Sequence, residues 1–434
     1  MDDLCIAVVG AGYVGLTVAG FFSELGNSVT CVDNNYQKIE NLKKNKIPIY
    51  EPGIEYLIIK NKKRGTLSFS HSIKEATKKS DVIFICAGTP SHSDGSPDLS
   101  AIESVVEQIA KAMDNSYRLI VEKSTVPAHT GKKIKQTICR NNPAAVFDIA
   151  SNPEFLREGS AVYDIFHPDR IVIGVESKKA EQILTRLYEH IKAPIIVCDI
   201  ETAEIIKHAS NSFLATKISF INAVSNICER LGADIRKVSE GMGLDKRIGK
   251  DFLNAGIGFG GACFPKDLDA FIHLAHTVGY DFGLLREVKK INEEQRKYML
   301  KKIEDTLWII KDKTIGVFGL SFKPDTDDIR NSVSIEVIKL LQKQGAKIKC
   351  YDPRAMDVAK IVLDKSVQFC KNIYQTAKDS DCLVIMTDWE EFKNMNLKKI
   401  KKALKQPVII DGKNIFEHQS MKNLGFIYKC IGKD

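Results

Sequence analysis

The stretch VVGAGYVG, residues 8–15, sets Gly10, Gly12 and Gly15 in G-x-G-x-x-G spacing, directly after the apolar run LCIAVV (4–9) and at the head of VGLTVAGFFSELG (14–26). A strand, a tight turn and a helix in that order make a phosphate cradle. The first glycine permits the turn, and the second admits a pyrophosphate against the backbone. The third lets the helix lie close to the strand, so that the positive end of the helix dipole faces the anion. The next apolar run, SVTCVD (28–33), ends on Asp33. A carboxylate there accepts a hydrogen bond from a ribose 2′-hydroxyl and repels a 2′-phosphate, so the pattern predicts NAD over NADP; Lys38 is near enough to soften that repulsion.

Working outward, DVIFICA (81–87), RLIVEKS (118–124) and PIIVCD (194–199) read as further strands, with helical runs such as LSAIESVVEQIAKAM (99–113) between them. That alternation predicts a parallel sheet with right-handed crossovers. Residues 201–231 break it with one long helical run in which Lys217 is the only charge between Lys207 and Cys228. A helix so apolar belongs in a core or a subunit interface. A second, more amphipathic helix is predicted over 280–310, and strands resume at TIGVFGL (314–320), AKIKCYD (346–352), DCLVIMTD (381–388) and PVIIDG (407–412). The predicted fold class is α/β: two Rossmann-like doubly wound domains, 1–200 and 311–434, joined by a long central helix within a helical dimerisation region, 201–310.

Bulk properties agree with a chain of two or three domains. It has 434 residues, 44% hydrophobic and 27% charged, as in ordinary soluble proteins. The net charge of +8 suits acidic ligands, small or nucleic. The lysines are scattered, however, and the densest run, LKKIKKALK (397–405), has no interleaved aromatics; it reads as a solvated helix face, and no nucleic-acid partner is expected. Eleven cysteines without a CxxC pair argue against a zinc site or a disulfide framework. Cys5, Cys31, Cys86, Cys198, Cys350 and Cys382 sit in strand-like runs, where cysteine packs as a small hydrophobe. The acidic start MDDLCIAVVGAG is no signal peptide, and no run approaches the ~20 apolar residues of a membrane span. The expectation is a cytoplasmic protein with reduced thiols, no metal and no membrane partner.

Several segments carry candidate chemistry. In SNPEFLREGSAVYD (151–164), Glu154 and Glu158 are four apart and share a face if the segment is helical. A solvated acidic pair is the default reading; against it stand Asn152, Pro153 and Phe155 just past a strand, where α/β sheets place their sites. Lys207 and Asn211 are one helical turn apart in the nearly chargeless run, and a lysine buried there should face a ligand or a carboxylate. Thr125, in EKSTVP, follows a strand and serves equally as a turn residue. AGIGFGGACFPKDLDA (255–270) sets Cys263 between a glycine pair and Pro-Lys-Asp, where cations and backbone amides favour a thiolate. Taken alone it reads equally as a structural thiol. Beside an NAD site it gains a specific use: a thiol captures an aldehyde, hydride loss leaves a thioester, and a carboxylate activates water to hydrolyse it. VFGLSFKPDTDDIR (317–330) lacks the three glycines but carries Lys323 and Arg330, reading either as a phosphate-facing loop or as a surface loop with ordinary ion pairs.

The segments GAGYVGL, STVP, NPEFLREGSAVYD, HPDRIVIG, GIGFGGACFPKD and GLSFKPDTDDIRNS, in order across nearly the whole chain, closely resemble the UDP-glucose/GDP-mannose dehydrogenase family in its bacterial UDP-glucose branch. The resemblance implies oxidation of the C6 alcohol of UDP-glucose to a carboxylate with two NAD, and a homodimer held through the long helix. It implies Cys263 as the nucleophile, Lys207 and Asp267 as stabilisers of charge on the reacting oxygen or handlers of its proton, and Glu154 as the base for thioester hydrolysis, with Thr125 and Asn211 assisting. NAD contacts are implied at Val14, Asp33, Lys38, Thr125, Glu158, Lys266 and Arg330, beside Gly10, Gly12 and Gly15. Substrate contacts are implied at Glu154, Phe155, Leu156, Arg157 and Glu158, at Lys207 and Asn211, at Phe252, Leu253, Asn254, Ala255, Gly256 and Gly260, and at Lys323; Arg247 is implied to reach a neighbouring subunit's substrate. Two positions depart from the family pattern: His129 where glycine is common, with an imidazole that would add a pH dependence, and Ala262 where serine is frequent. Sibling enzymes acting on GDP-mannose or UDP-N-acetylmannosamine would keep the same cysteine and dinucleotide site. A two-electron hydroxyacid dehydrogenase would not need Cys263, and a non-catalytic NAD-binding regulator would leave the Cys-Lys-Asp-Glu set unexplained.

Overall fold

A computed structural model describes residues 4–92 and 94–433. The chain forms two compact units. One runs to Ser210 and regains Asp269–Gly279; the other takes Asn211–Leu268 and the chain from Tyr280 onward.

The first unit is built on an eight-stranded sheet, ordered β3-β2-β1-β4-β5-β6-β7-β8. Its strands are β1 (Cys5–Val9), β2 (Ser28–Val32), β3 (Leu67–Ser70), β4 (Val82–Ile85), β5 (Arg118–Glu122), β6 (Phe147–Ser151), β7 (Ile171–Val175) and β8 (Ile195–Cys198). Valine and isoleucine dominate because a sheet covered by helices buries both faces. Alternate residues of β1 enter different cores: Ile6 and Val8 join one apolar cluster, Ala7 and Val9 the other. The expectation of a wholly parallel sheet needs one correction, because β7 pairs antiparallel with β6. The connection between them, residues 152–170, carries one short helix, Ala161–Phe166, rather than a full crossover, so the chain returns reversed.

The second unit holds a six-stranded parallel sheet, ordered β11-β10-β9-β12-β13-β14, from β9 (Thr314–Phe318), β10 (Lys347–Tyr351), β11 (Gln368–Phe369), β12 (Cys382–Ile385), β13 (Val408–Asp411) and β14 (Ile427–Cys430). The order around β9 repeats that around β1. The correspondence extends to Asp352, which follows β10 as Asp33 follows β2. Asp352 is buried and saturated by donors from Leu320, Ser321, Trp389, Arg354 and Ala355, so this half closes its own acid position and is not a second ribose site.

The two long helices form as the periodicity predicts, Ile200–Leu231 and Gly283–Leu307. Within the second unit they meet through polar contacts: Ser219 Oγ donates to Val288 O at 2.8 Å, and buried Lys302 pairs with Glu229 at 2.9 Å, where Tyr298 also donates. The long helix is apolar on most sides, as read, but one face is uncovered. Phe213, Phe220 and Ile227, seven residues apart, are all exposed. Cys31, Cys350 and Cys382 are buried as expected, while Cys5, Cys86 and Cys198 are only partly so. The lysines of helix Leu397–Ala403 face outward around buried Ile400, the solvated face that the run predicts. Among the described residues no helix is long and apolar enough to cross a membrane.

Candidate active site

The glycine cradle has the geometry a dinucleotide requires. Gly10 stands at φ +112°, and a Cβ on it would fall 2.4 Å from Cys86 O; a Cβ on Gly15 would strike Gly10 O. These two are needed for the chain to pack against itself. Gly12 differs: a Cβ there would meet nothing within 4 Å among the described residues, so its missing side chain keeps an approach open. Helix Tyr13–Glu24 begins at that glycine with no side-chain cap and no acidic residue in its first turn, which leaves its leading N–H groups for an anion. Val14 is half-buried at that end.

Asp33 closes the cradle. Its Oδ2 accepts from Ala11 N and from Lys38 Nζ, each at 2.9 Å, and its Oδ1 from Asn35 N at 2.9 Å. Burial opposes ionisation, but the Lys38 ammonium and the two amides outweigh it and hold the carboxyl below its ordinary value. Asp33 is therefore an anion with lone pairs left for a hydroxyl. The residues present fit an adenine dinucleotide with a free 2′-hydroxyl.

Glu154 and Lys207 meet. Lys207 Nζ donates to Glu154 Oε1 at 3.0 Å with both side chains buried, so the lysine read as facing a ligand or a carboxylate faces a carboxylate. Glu154 Oε2 accepts from Leu156 N at 2.6 Å, which orients the carboxylate. The condition for Glu154 and Glu158 to share a helical face is not met, because residues 152–157 are irregular. Pro153 disfavours a helical Asn152 and supplies no N–H. Phe155 has two cations near its ring, the Arg170 guanidinium 3.6 Å and Lys207 Nζ 5.3 Å from its centroid. Arg157 turns instead to Asp164, donating at 2.6 and 3.0 Å. Leu156 and Glu158 are half-buried.

Thr125 follows β5, and its carbonyl accepts from Thr89 Oγ1 at 3.0 Å. His129 takes φ +72° as the residue before helix Thr130–Asn141. That left-handed conformation costs a glycine little and a histidine more. The His129 N–H donates to Glu204 Oε2 at 2.8 Å and Gly131 N to Glu204 Oε1 at 3.0 Å, so a carboxylate from the long helix caps this one. Burial pushes Glu204 up to about 7 despite those two amides. The imidazole is exposed, 3.4 Å from Glu201.

In the second unit, Cys263 immediately precedes helix Phe264–Thr277, and its carbonyl accepts from Asp267 N at 2.8 Å. The thiol thus stands at a helix N-terminus, half-buried, where the dipole favours negative charge. The glycine pair before it has a packing reason. A Cβ on Gly260 would fall 2.3 Å from Asn331 O, and one on Gly261, at φ +82°, would enter the Phe322 ring. Gly261 N donates to Arg330 O at 2.9 Å, and Asn331 Nδ2 to Gly261 O at 3.0 Å. The cysteine segment and the loop 321–331 are therefore pinned together, as the two separate motifs did not reveal. Arg330 itself is forked onto Asp328, and Lys323 Nζ lies 5.8 Å from the Phe322 centroid.

Asp267 is buried, with Oδ2 accepting from Asn211 Nδ2 at 2.5 Å and Oδ1 from Lys266 Nζ at 2.6 Å. Leu253 and Ala255 are buried in the apolar cluster of this unit, so segment 252–256 can offer a ligand only backbone, Asn254 and Phe252, the last at φ +63°. Gly256 N donates to Asn222 Oδ1 at 2.8 Å and its carbonyl accepts from Gln295 at 2.7 Å. Arg247 is exposed and forked onto Asp245. Three first-unit residues carry roles that the sequence did not single out: Arg170 over the Phe155 ring, Glu204 at the start of helix Thr130–Asn141, and Lys123 on Asn152; for Lys123 the available signal was a lysine at the end of an apolar strand.

Comparisons with known proteins follow this geometry domain by domain. Residues 4–192 match the NAD binding domain of the UDP-glucose/GDP-mannose dehydrogenase family, 201–294 its central domain and 316–418 its UDP binding domain. The chain is 46% identical to UDP-glucose 6-dehydrogenase TuaD of Bacillus subtilis, over 99% of this chain and 93% of that protein. It is 40% identical to UDP-glucose 6-dehydrogenase of Rhizobium meliloti, over 99% of each. A UDP-glucose dehydrogenase structure from Pyrobaculum islandicum superposes with a TM-score of 0.94 at 37% identity, covering 100% of this chain and 98% of that one. With its NAD-type cradle, its cysteine-bearing segment and its nucleotide-binding half each matched in order, the chain belongs to the UDP-glucose/GDP-mannose dehydrogenase family of NAD-dependent enzymes.

Proposed function

We propose that this chain oxidises UDP-glucose to UDP-glucuronate in two hydride transfers, with Cys263 holding the sugar between them. The observation that carries the reading is a thiol at a helix N-terminus in a chain that also supplies a buried Glu154–Lys207 pair and an open dinucleotide cradle. Bound NAD+ supplies the hydride acceptor, once for the alcohol and once for the thiohemiacetal. Lys207 and the Asn211–Asp267 pair handle the proton and the charge on the C6 oxygen. The Cys263 thiolate adds to the aldehyde carbon, and that oxygen takes a proton. Loss of the second hydride and that proton leaves a thioester. Glu154 then takes a proton from water as the water's oxygen bonds to the acyl carbon; the C–S bond breaks and the thiolate returns. One UDP-glucose, two NAD+ and one water give UDP-glucuronate, two NADH and three protons.

The preference for glucose over sibling sugars rests on kinship. Relatives named UDP-glucose 6-dehydrogenase are 40–46% identical, whereas a UDP-D-ManNAc dehydrogenase structure from Pyrococcus horikoshii is 29% identical. The test is a panel of three sugar nucleotides with NAD+ or NADP+. UDP-glucose with NAD+ is expected to exceed GDP-mannose, UDP-N-acetylmannosamine and the NADP+ reactions by about 10²-fold or more in kcat/KM. A higher value for either sibling sugar would move the chain to that branch.

The active form is a homodimer in this reading, located in the cytoplasm. Support comes from Phe213, Phe220 and Ile227, an exposed heptad-spaced stripe of the kind that pairs helices. Phe220→Glu places a charge at its centre, and sedimentation should then report a monomer in place of the dimer. A dimer that persists would place the interface elsewhere.

A further inference from the structure

Beneath the Glu154 turn lies a buried lysine that the reaction as described does not use. Lys123 follows β5 and is 6% exposed. Its ammonium donates to Asn152 Oδ1 at 2.8 Å and to the Tyr188 hydroxyl at 3.3 Å, and that hydroxyl itself donates to Asn152 Oδ1 at 2.6 Å. Both partners are neutral, and among the described residues Lys123 forms no ion pair. An ammonium taken from water into such surroundings is costly, and a methionine of similar volume would serve a purely structural purpose at least as well.

The triangle holds one residue on every side. Asn152 Nδ2 donates to Val172 O at 2.7 Å, its backbone N to Glu122 O at 2.9 Å, and its Oδ1 takes the lysine and the tyrosine. Asn152 leads directly through Pro153 into Glu154, so fixing Asn152 fixes where the Glu154 backbone starts. We propose that Lys123 is a positioning residue for thioester hydrolysis, holding Asn152 so that the Glu154 carboxylate stays on Leu156 N–H and Lys207 while it receives the proton of water. This rests on Glu154 being the hydrolytic base.

The charged and titratable groups facing Lys123 are Cys86 beyond β4, Glu154 after β6, Lys207 on the long helix and the Tyr188 phenol. Burial pulls the ammonium down to about 8, with Cys86 and Glu154 favouring the charge and Lys207 opposing it. Burial pushes the Cys86 thiol and the Tyr188 phenol well up, so neither supplies a counter-charge near neutrality. As pH rises through about 8 the lysine becomes neutral, and its charge-assisted bond to Asn152 weakens.

The test compares Lys123→Met, Tyr188→Phe and Glu154→Gln by thermal melting, NAD+ affinity, covalent sugar on the intact protein, and the pH profile of thioester hydrolysis. Lys123→Met is expected to melt no lower than the wild type and to keep NAD+ affinity. Its hydrolysis should slow at least tenfold, with sugar accumulating on Cys263, and its profile should lack the decline that the wild type shows near pH 8. Tyr188→Phe, which keeps the lysine, should shift in the same direction by a smaller factor; it carries the test if the methionine variant does not fold. Wild-type hydrolysis and an unchanged pH profile in the variants, beside a Glu154→Gln enzyme that does accumulate thioester, would overturn the proposal alone. If Glu154→Gln also turns over normally, the reading beneath it fails first.

Discussion

Glu154→Gln is expected to stop the enzyme after two NADH, with the sugar still on Cys263 as a thioester. The substitution keeps the shape of a side chain that Leu156 N and Lys207 Nζ hold from two sides, but an amide cannot take a proton from water and has one oxygen for two donors. Loss of a positioned general base costs about 10²–10⁴ in the step it serves. Both hydride transfers precede that step, so a stoichiometric burst of NADH should survive and steady turnover should not. Removing one charge from a buried pair also costs about 3–5 kcal/mol of stability, so the variant is to be assayed well below its lowered melting temperature. Intact-protein mass spectrometry reads the adduct directly. A variant that turns over at the wild-type rate without an adduct would assign the proton of hydrolysis to another group.

Cys263→Ala produces the larger loss and a different signature. Without the thiol the aldehyde has no covalent anchor, so the first hydride transfer can reverse or release its product and the second has no thiohemiacetal to act on. UDP-glucuronate formation is expected to fall by at least about 10³-fold, the scale on which removal of a nucleophile acts. No sugar should appear on the protein, whatever the state of Glu154, so the double variant Cys263→Ala, Glu154→Gln carries no adduct. The neighbouring fold should persist, because Cys263 is only half-buried and the backbone bonds of Gly261 and Asp267 do not involve its side chain. Sugar found on the alanine variant would place the covalent step on another residue.

What was legible in the chain follows from how local each constraint is. The cradle could be read directly because its three glycines, its strand and Asp33 are bound by contacts that the spacing itself dictates, down to Gly15 against Gly10. The expectation that Lys207 meets a carboxylate or a ligand followed from the cost of burying a charge, without knowing that Glu154 would supply the partner. Two kinds of feature escaped. Strand direction did, because β6 and β7 turn antiparallel through a connection whose two prolines and short helix look like those of any loop, and β3, with the polar-alternating LSFS, carries too little apolar signal to be read as a strand. Long-range polar closure did too: Lys123, Asn152 and Tyr188 stand far apart in the chain, and the fold alone brings them into one triangle. Glu154 and Glu158 mark the same limit from the other side, since a four-residue spacing means nothing in a segment that takes no helical form.

The measurement that bears most directly on this account is the NADH formed per UDP-glucose consumed, counted to completion by absorbance with the sugar product identified by mass. Two NADH and UDP-glucuronate are expected from the wild type. One NADH per sugar, with an aldehyde as the end product, would contradict that expectation and leave Cys263 a structural thiol at the start of a helix.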